Sequence, residues 1–239
     1  MENTNLPSEI IFLDIETVSA FPLLDMAPSK EQALWKIKEA QINSKVPDSQ
    51  TSYARAGIYA EFGKIICICC GVLFQEENST FLKINTFSSK KEKRLLEEFV
   101  CFINSHRKNN TLCAHNGKEF DFPFICRRLL VHGLDIPSAL QIAGKKPWEV
   151  KHLDTLELWK FGDYKHYTSL DLLAHVFKLP SPKKMMNGGM VHEFFYEKKD
   201  LKSIRNYCEN DILTLVCVYL HLSNQTQWIP KHIEVERMQ

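Results

Sequence analysis

Hydrophobic and polar positions alternate in two rhythms along the chain. Residues 10–15 read Ile-Ile-Phe-Leu-Asp-Ile, an apolar run interrupted only by Asp14. That pattern predicts a buried strand with acidic residues at its C-terminal end. Residues 65–74 predict a second, longer strand and residues 80–87 a third, with Glu76, Glu77, Asn78 and Ser79 as the turn between them. Three successive strands joined in this way imply an antiparallel edge on the sheet. The rhythm then changes. Leu95, Leu96, Phe99, Phe102 and Ile103 recur at helical spacing, and Ser89 with Glu92 resembles a capping box. Residues 111–114 read as a short strand. Residues 120–131 read as a helix stopped by His132 and Gly133. A last short strand spans 151–154, and a helical turn follows at 156–159. Residues 169–177 form a short helix ending before Pro180. Residues 201–222 form the longest one, striped by Leu201, Ile204, Cys208, Ile212, Leu215 and Leu220 and capped by Asp200.

The order is three strands, helix, strand, helix, strand, helices. It predicts an α/β layered fold around a mixed five-stranded sheet. The length of 239 residues suits one domain, 1–239, with its core at about 8–222. Residues 19–60 form an insert between the first two strands, long for a connection. Within it, 29–40 reads as a helix and 47–59 as a mobile arm. A second irregular stretch, 178–199, is rich in Pro, Gly, Met and Lys. Either stretch fits the border of a substrate cleft or plain surface decoration.

Composition narrows the class. Apolar residues make up 44% and charged residues 25%, which is ordinary for a globular protein. No segment has the apolar length of a membrane span, and no secretory leader is visible at the N-terminus. The eight cysteines show no paired framework; Cys67, Cys69 and Cys70 lie inside an apolar strand. Thiols used as small hydrophobes in a reducing cytoplasm explain them, and the spacings lack the CxxC pattern of a zinc site. The net charge of +1 argues against coating nucleic acid by bulk electrostatics. An enzyme gripping one strand end needs only a local basic rim.

The acidic residues carry the candidate chemistry. Asp14 and Glu16, two apart on a strand, share a face. Alone, they fit either a strand running out into water or a divalent-cation site. Tyr207 and Asp211, four apart on the long helix, stack on one face. Asp121 opens a helix, where an acid is also favoured by exposed backbone N–H groups. Taken in order, acids at a strand end, a helix start and the last helix can converge at one edge of a sheet. Hard oxygen ligands suit Mg²⁺ or Mn²⁺. Two such ions about 4 Å apart can clamp the attacking and leaving oxygens of a phosphoryl transfer.

These segments resemble the three motifs of the DEDD exonuclease superfamily. Asp14-Ile15-Glu16-Thr17 is similar to the first motif. Asn116, Phe120 and Asp121 are similar to the second, and Tyr207 with Asp211 to the third. The histidine subclass places His five residues before the last Asp; here that position is Asn206, so the tyrosine subclass is the nearer likeness. Within it, 114–117, 120–125 and 152–155 look like the 3′–5′ exonuclease domain of family B DNA polymerases in its stand-alone form. The resemblance implies a ribonuclease H-like three-layer fold and two divalent ions, Mg²⁺ or Mn²⁺. It implies metal-ligand roles for Asp14, Glu16, Asp121 and Asp211, and a water-orienting role for Tyr207. Thr17, Asn116 and Phe120 become candidate nucleic-acid contacts. Asp154 fits either a supporting role behind the metal ligands or a helix cap.

The implied activity is hydrolysis from the 3′ end of single-stranded DNA, releasing nucleoside 5′-monophosphates. An RNA exonuclease of RNase D-like type and a non-catalytic nucleic-acid-binding module are the alternatives. Lys145, Lys146, Lys165, Lys183, Lys184, Lys198 and Lys199 are candidate phosphate contacts, some beside aromatics that could stack on bases. His115 and His166 lack metal-motif spacing and fit structural or surface roles.

Overall fold

In the computed structural model, residues 5–45, 52–106, 111–163, 167–179 and 186–238 are described. The elements run β1 (Ile10–Ser19), α1 (Ser29–Lys45), β2 (Gly63–Glu76), β3 (Ser79–Ser88), α2 (Glu92–Ser105) and β4 (Thr111–Ala114). They continue with α3 (Asp121–Val131), β5 (Leu153–Asp154), α4 (Thr155–Lys160), α5 (Leu170–Val176), α6 (Val191–Tyr196), α7 (Leu201–Leu222) and β6 (His232–Met238). The sheet order is β5-β4-β1-β2-β3-β6. β1–β2 and β2–β3 are antiparallel, whereas β4, β5 and β6 join in parallel. The sheet is mixed, as expected, with six strands rather than five.

Alternation along β1 builds both layers. Ile10, Phe12 and Val18 pack toward Ile204, Cys208, Ile212 and Leu215 of α7. Ile11, Leu13 and Ile15 pack toward Leu95 and Phe99 of α2 and Phe122 and Ile125 of α3. Each such side chain contributes roughly 1.5–3 kcal/mol when fully buried. β1 is therefore covered on both faces, and any polar residue on it needs a special reason. The β2–β3 hairpin closes through Glu77 and Asn78, both at positive φ (45° and 65°), the backbone sense that matches strand twist in two-residue turns.

Three expectations need correction. The sixth strand, β6, was missed because all but its last residue is exposed and its apolar pair, Ile233 and Val235, is too short to announce a strand. It is held at the edge by pairing with β3, by Arg237–Glu209 at 2.7 Å and by Lys83–Glu236 at 2.8 Å. The capping box at α2 does not form. Ser89 Oγ accepts from Lys91 N, while Glu92 turns inward to accept from Ile65 N (2.7 Å), Arg128 and His132. Finally, the arm expected at 47–59 forms structure and packs on the sheet over 52–59; its remaining residues lie outside the described ones. Tyr53–Ile58 forms a 3₁₀ turn against β1. Trp35, the buried residue of α1, meets the rings of Tyr53 and Phe62 edge-on at 5.5 and 5.3 Å. No described helix is long and apolar enough to cross a membrane.

Candidate active site

The site begins where β1 outruns its neighbour. β4 pairs with β1 only over Ile10, Ile11 and Phe12, and it ends at Ala114. The C-terminal half of β1 therefore loses its parallel partner, and its backbone donors need other acceptors. Asp121, at the start of α3, supplies one: Ile15 N donates to Asp121 Oδ1 at 3.2 Å. Asp14 and Glu16 project from the same stretch toward α7, on the face that carries Phe12. Tyr207 and Asp211 face them from one turn of that helix. Asp14, Glu16, Tyr207 and Asp211 all line one cleft of about 500 Å³, together with Thr17 and Phe120. Two larger cavities, of about 640 and 840 Å³, hold none of the expected residues.

Electrostatics make this cleft unusual. Burial pushes the Asp14 carboxyl well above the ordinary carboxylate range, and the charges of Asp211 and Asp121 push it further. Glu16 is raised in the same way, by burial and then by Asp14 and Asp211. Asp121 rises to about 7, chiefly through burial, against the pull of backbone N–H groups including that of Ile15. Its charge reaches Asp14 and Glu16 although it is not among the cleft-lining residues. Among the described residues, no Lys, Arg or His forms a salt bridge with any of the three. Burial, followed by the charge of Asp211, pushes the Tyr207 hydroxyl far up, so it is a neutral phenol that hydrogen-bonds Asp211. This is a cluster of acids short of positive charge, with hard oxygen donors aimed at a shared space. Such a donor set could hold a divalent cation.

Asn116 and Asp154 belong to the wall next door. Asn116 takes a positive φ of 60°. Gly117 follows because a Cβ there would lie 2.3 Å from Ala114 Cβ. Asp154 binds this loop, accepting from Asn116 N at 2.9 Å and Lys118 N at 3.1 Å, and caps α4 through Leu156 N at 3.0 Å. It is thus a cap and a loop anchor together. Asn116 itself lines an adjoining cleft with Lys118, Trp148 and Lys160 rather than the acid cleft. His115 is structural, bonded to Thr155 and to the Thr168 carbonyl. Lys198 is occupied by Glu193 at 2.9 Å and by the Phe194 ring. Lys146 lies over Trp148, 5.3 Å from the ring centroid. Lys165, His166, Lys183 and Lys184 lie outside the described residues.

Sequence reasoning missed several neighbours. Cys208, one residue after Tyr207, donates to Asp14 Oδ2 at 3.3 Å and to the Asp14 carbonyl at 3.6 Å. Its sulfur clusters with those of Cys67 and Cys69. The i, i+2 spacing of Cys67 and Cys69 on a strand was the available signal that both face α7. Arg55, Ile58, Tyr167, Gly188, Gly189 and His192 also line the cleft, and no local motif marks them.

A family model described as a predicted 3′–5′ exonuclease related to the exonuclease domain of PolB matches residues 58–237. The chain belongs to this family of PolB-related exonucleases. The matched region contains Asp121, Tyr207 and Asp211, and Asp14 and Glu16 precede it. In three dimensions the PolB-related chain is similar to the family B DNA polymerase from the hyperthermophilic archaeon Pyrobaculum calidifontis, with a TM-score of 0.56 and 12% identity. That likeness covers 92% of this chain and 28% of the polymerase chain. It shows a shared ribonuclease H-like α/β fold. Comparison with curated proteins gave no match.

Proposed function

We propose that this PolB-related chain is a metal-dependent 3′–5′ exonuclease of the tyrosine subclass. It would hydrolyse phosphodiester bonds at the 3′ end of single-stranded DNA and release nucleoside 5′-monophosphates. The observation that carries the reading is the joint placement of Asp14, Glu16, Tyr207 and Asp211 around one cleft, with Asp121 bonded to the strand between the first two. In this reading residues 1–239 act as one exonuclease domain, with the core at about 8–222 extended by β6.

Asp14, Glu16, Asp121 and Asp211 would hold two divalent ions, Asp121 mostly through water. When bound, such ions neutralise charge on the phosphate and make a water a better nucleophile. The remaining work falls to the chain. Cys208 donates to Asp14 Oδ2 and so fixes the orientation of that carboxylate. Tyr207 remains protonated at neutral pH, so it orients the attacking water by hydrogen bonding and does not act as its base. Thr17 and Phe120, which line the cleft, would contact the terminal nucleotide, and Asn116 the preceding one.

DNA is preferred to RNA because the family is related to a DNA polymerase domain. Matched 5′-labelled DNA and RNA strands, digested in parallel with Mn²⁺, test this. Stepwise shortening from the 3′ end, faster on DNA, is expected. Faster loss of RNA would move the assignment to an RNase D-like activity, and strand binding without cleavage to a non-catalytic module.

A further inference from the structure

We propose that Arg55, on the insert between β1 and β2, binds a backbone phosphate of the nucleic-acid strand. The inference rests on the exonuclease reading above and extends it to a segment outside the acidic motifs. Among the described residues that line the cleft, three are carboxylates and Arg55 is the one Lys or Arg. It is exposed, and among the described residues no carboxylate pairs with it. An arginine beside acids normally closes an ion pair. Here the nearest acids leave it open, so its charge is available to an anion from outside.

Its backbone is held, although its side chain has no carboxylate partner among the described residues. Ala56 and Gly57, the next two residues, are buried. Gly57 lies so close to β1 that a Cβ would stand 2.9 Å from the Val18 carbonyl carbon. Ser52 caps the turn by accepting from Ala54 N at 3.2 Å, and Tyr59 N closes it on the Ala56 carbonyl at 3.0 Å. Tyr53 anchors it to Trp35. β1 also shifts register between Glu16 and Thr17, beside this turn. The turn therefore carries a cation on a fixed backbone along the rim of an acid-lined cleft.

The chemistry of the guanidinium suits the ligand. Its planar fork matches two phosphate oxygens, with donors that cannot be titrated away. A chain of net charge +1 has little general attraction for nucleic acid. A single cation at the mouth would then carry a measurable share of the salt-dependent binding.

Binding of a fluorescein-labelled single-stranded DNA, read by anisotropy with Ca²⁺ replacing Mg²⁺, tests the inference. Wild type, Arg55→Ala, Arg55→Lys and a distant control, Lys93→Ala, are compared over a salt series. Arg55→Ala should weaken binding about tenfold, as expected for a partly exposed charged hydrogen bond. Losing one phosphate contact should also flatten the log K against log salt slope by about 0.7. Arg55→Lys should restore the slope, Lys93→Ala should leave it unchanged, and thermal melting should be equal in all four. In Mn²⁺ turnover, KM should rise about tenfold for Arg55→Ala with kcat near wild type. If wild type cleaves while Arg55→Ala matches it in affinity and slope, this inference falls and the exonuclease reading stands. A wild-type protein that neither binds nor cleaves overturns both.

Discussion

Asp121 offers a sharp test of the electrostatic account, through stability rather than activity. Its carboxyl is held at about 7 in the folded protein against an ordinary 3.8. The folded value is raised, so the favourable contribution is complete below the unfolded value and is lost as pH rises through about 7. A gap of about three pH units corresponds to roughly 4 kcal/mol. Of this, about 3 kcal/mol should be lost between about pH 5 and about pH 8. Asp121→Asn keeps an oxygen for the Ile15 N–H but cannot ionise. Urea unfolding of both proteins in EDTA reads Asp121 together with the repulsion it exerts on Asp14 and Glu16, whereas His115, His152 and His192, each lowered mainly by burial, contribute equally to both. Relative to Asp121→Asn, the wild type should lose about 3 kcal/mol over that range. Mn²⁺ at about one hundred times its dissociation constant should return about 2.7 kcal/mol to the wild type at the alkaline end. A wild-type stability that stays level with, or gains on, Asp121→Asn as pH rises would refute the claim that this acid is buried without compensating charge.

Two further outcomes follow from the same geometry. Tyr207→Phe should slow hydrolysis by about 1–3 kcal/mol in the barrier while Mn²⁺ affinity, measured by calorimetry, stays within about twofold; equal losses in both would make the tyrosine structural. Gly117→Ala, whose Cβ would meet Ala114 Cβ at 2.3 Å, should cost about 1–3 kcal/mol in urea unfolding, and an unchanged midpoint would show that the Asn116 loop is not closely packed.

What the sequence could show depends on where each residue's determinants lie. β4 and α7 were legible to the residue because one is a short apolar run between polar stretches and the other a long stripe with Asp200 as its cap. β6 was not, since its position depends on β3 and on a charge pair with Glu209 more than two dozen residues away. Glu92 looked like a cap because capping chemistry is local. Its real partners, Arg128 and His132, sit on and just past the end of another helix. The acids were legible from order and element type, but their mutual repulsion appears only once β1, α3 and α7 are assembled. Arg55 carried no signal because its meaning comes from a turn folded against β1. The Asn116 loop divided from the acid cleft for a similar reason: Asp154, distant in sequence, holds it.

The central claim is that these carboxylates form one metal-dependent hydrolytic centre. The direct measurement is release of nucleoside 5′-monophosphate from the 3′ end of single-stranded DNA, with Mn²⁺ or with EDTA, by wild type, Asp14→Ala and Asp211→Ala. The account predicts release by the wild type only with the metal, and none above background by either variant while both keep a cooperative thermal transition. Wild-type rates in Asp14→Ala or Asp211→Ala, or equal release in EDTA, would contradict it.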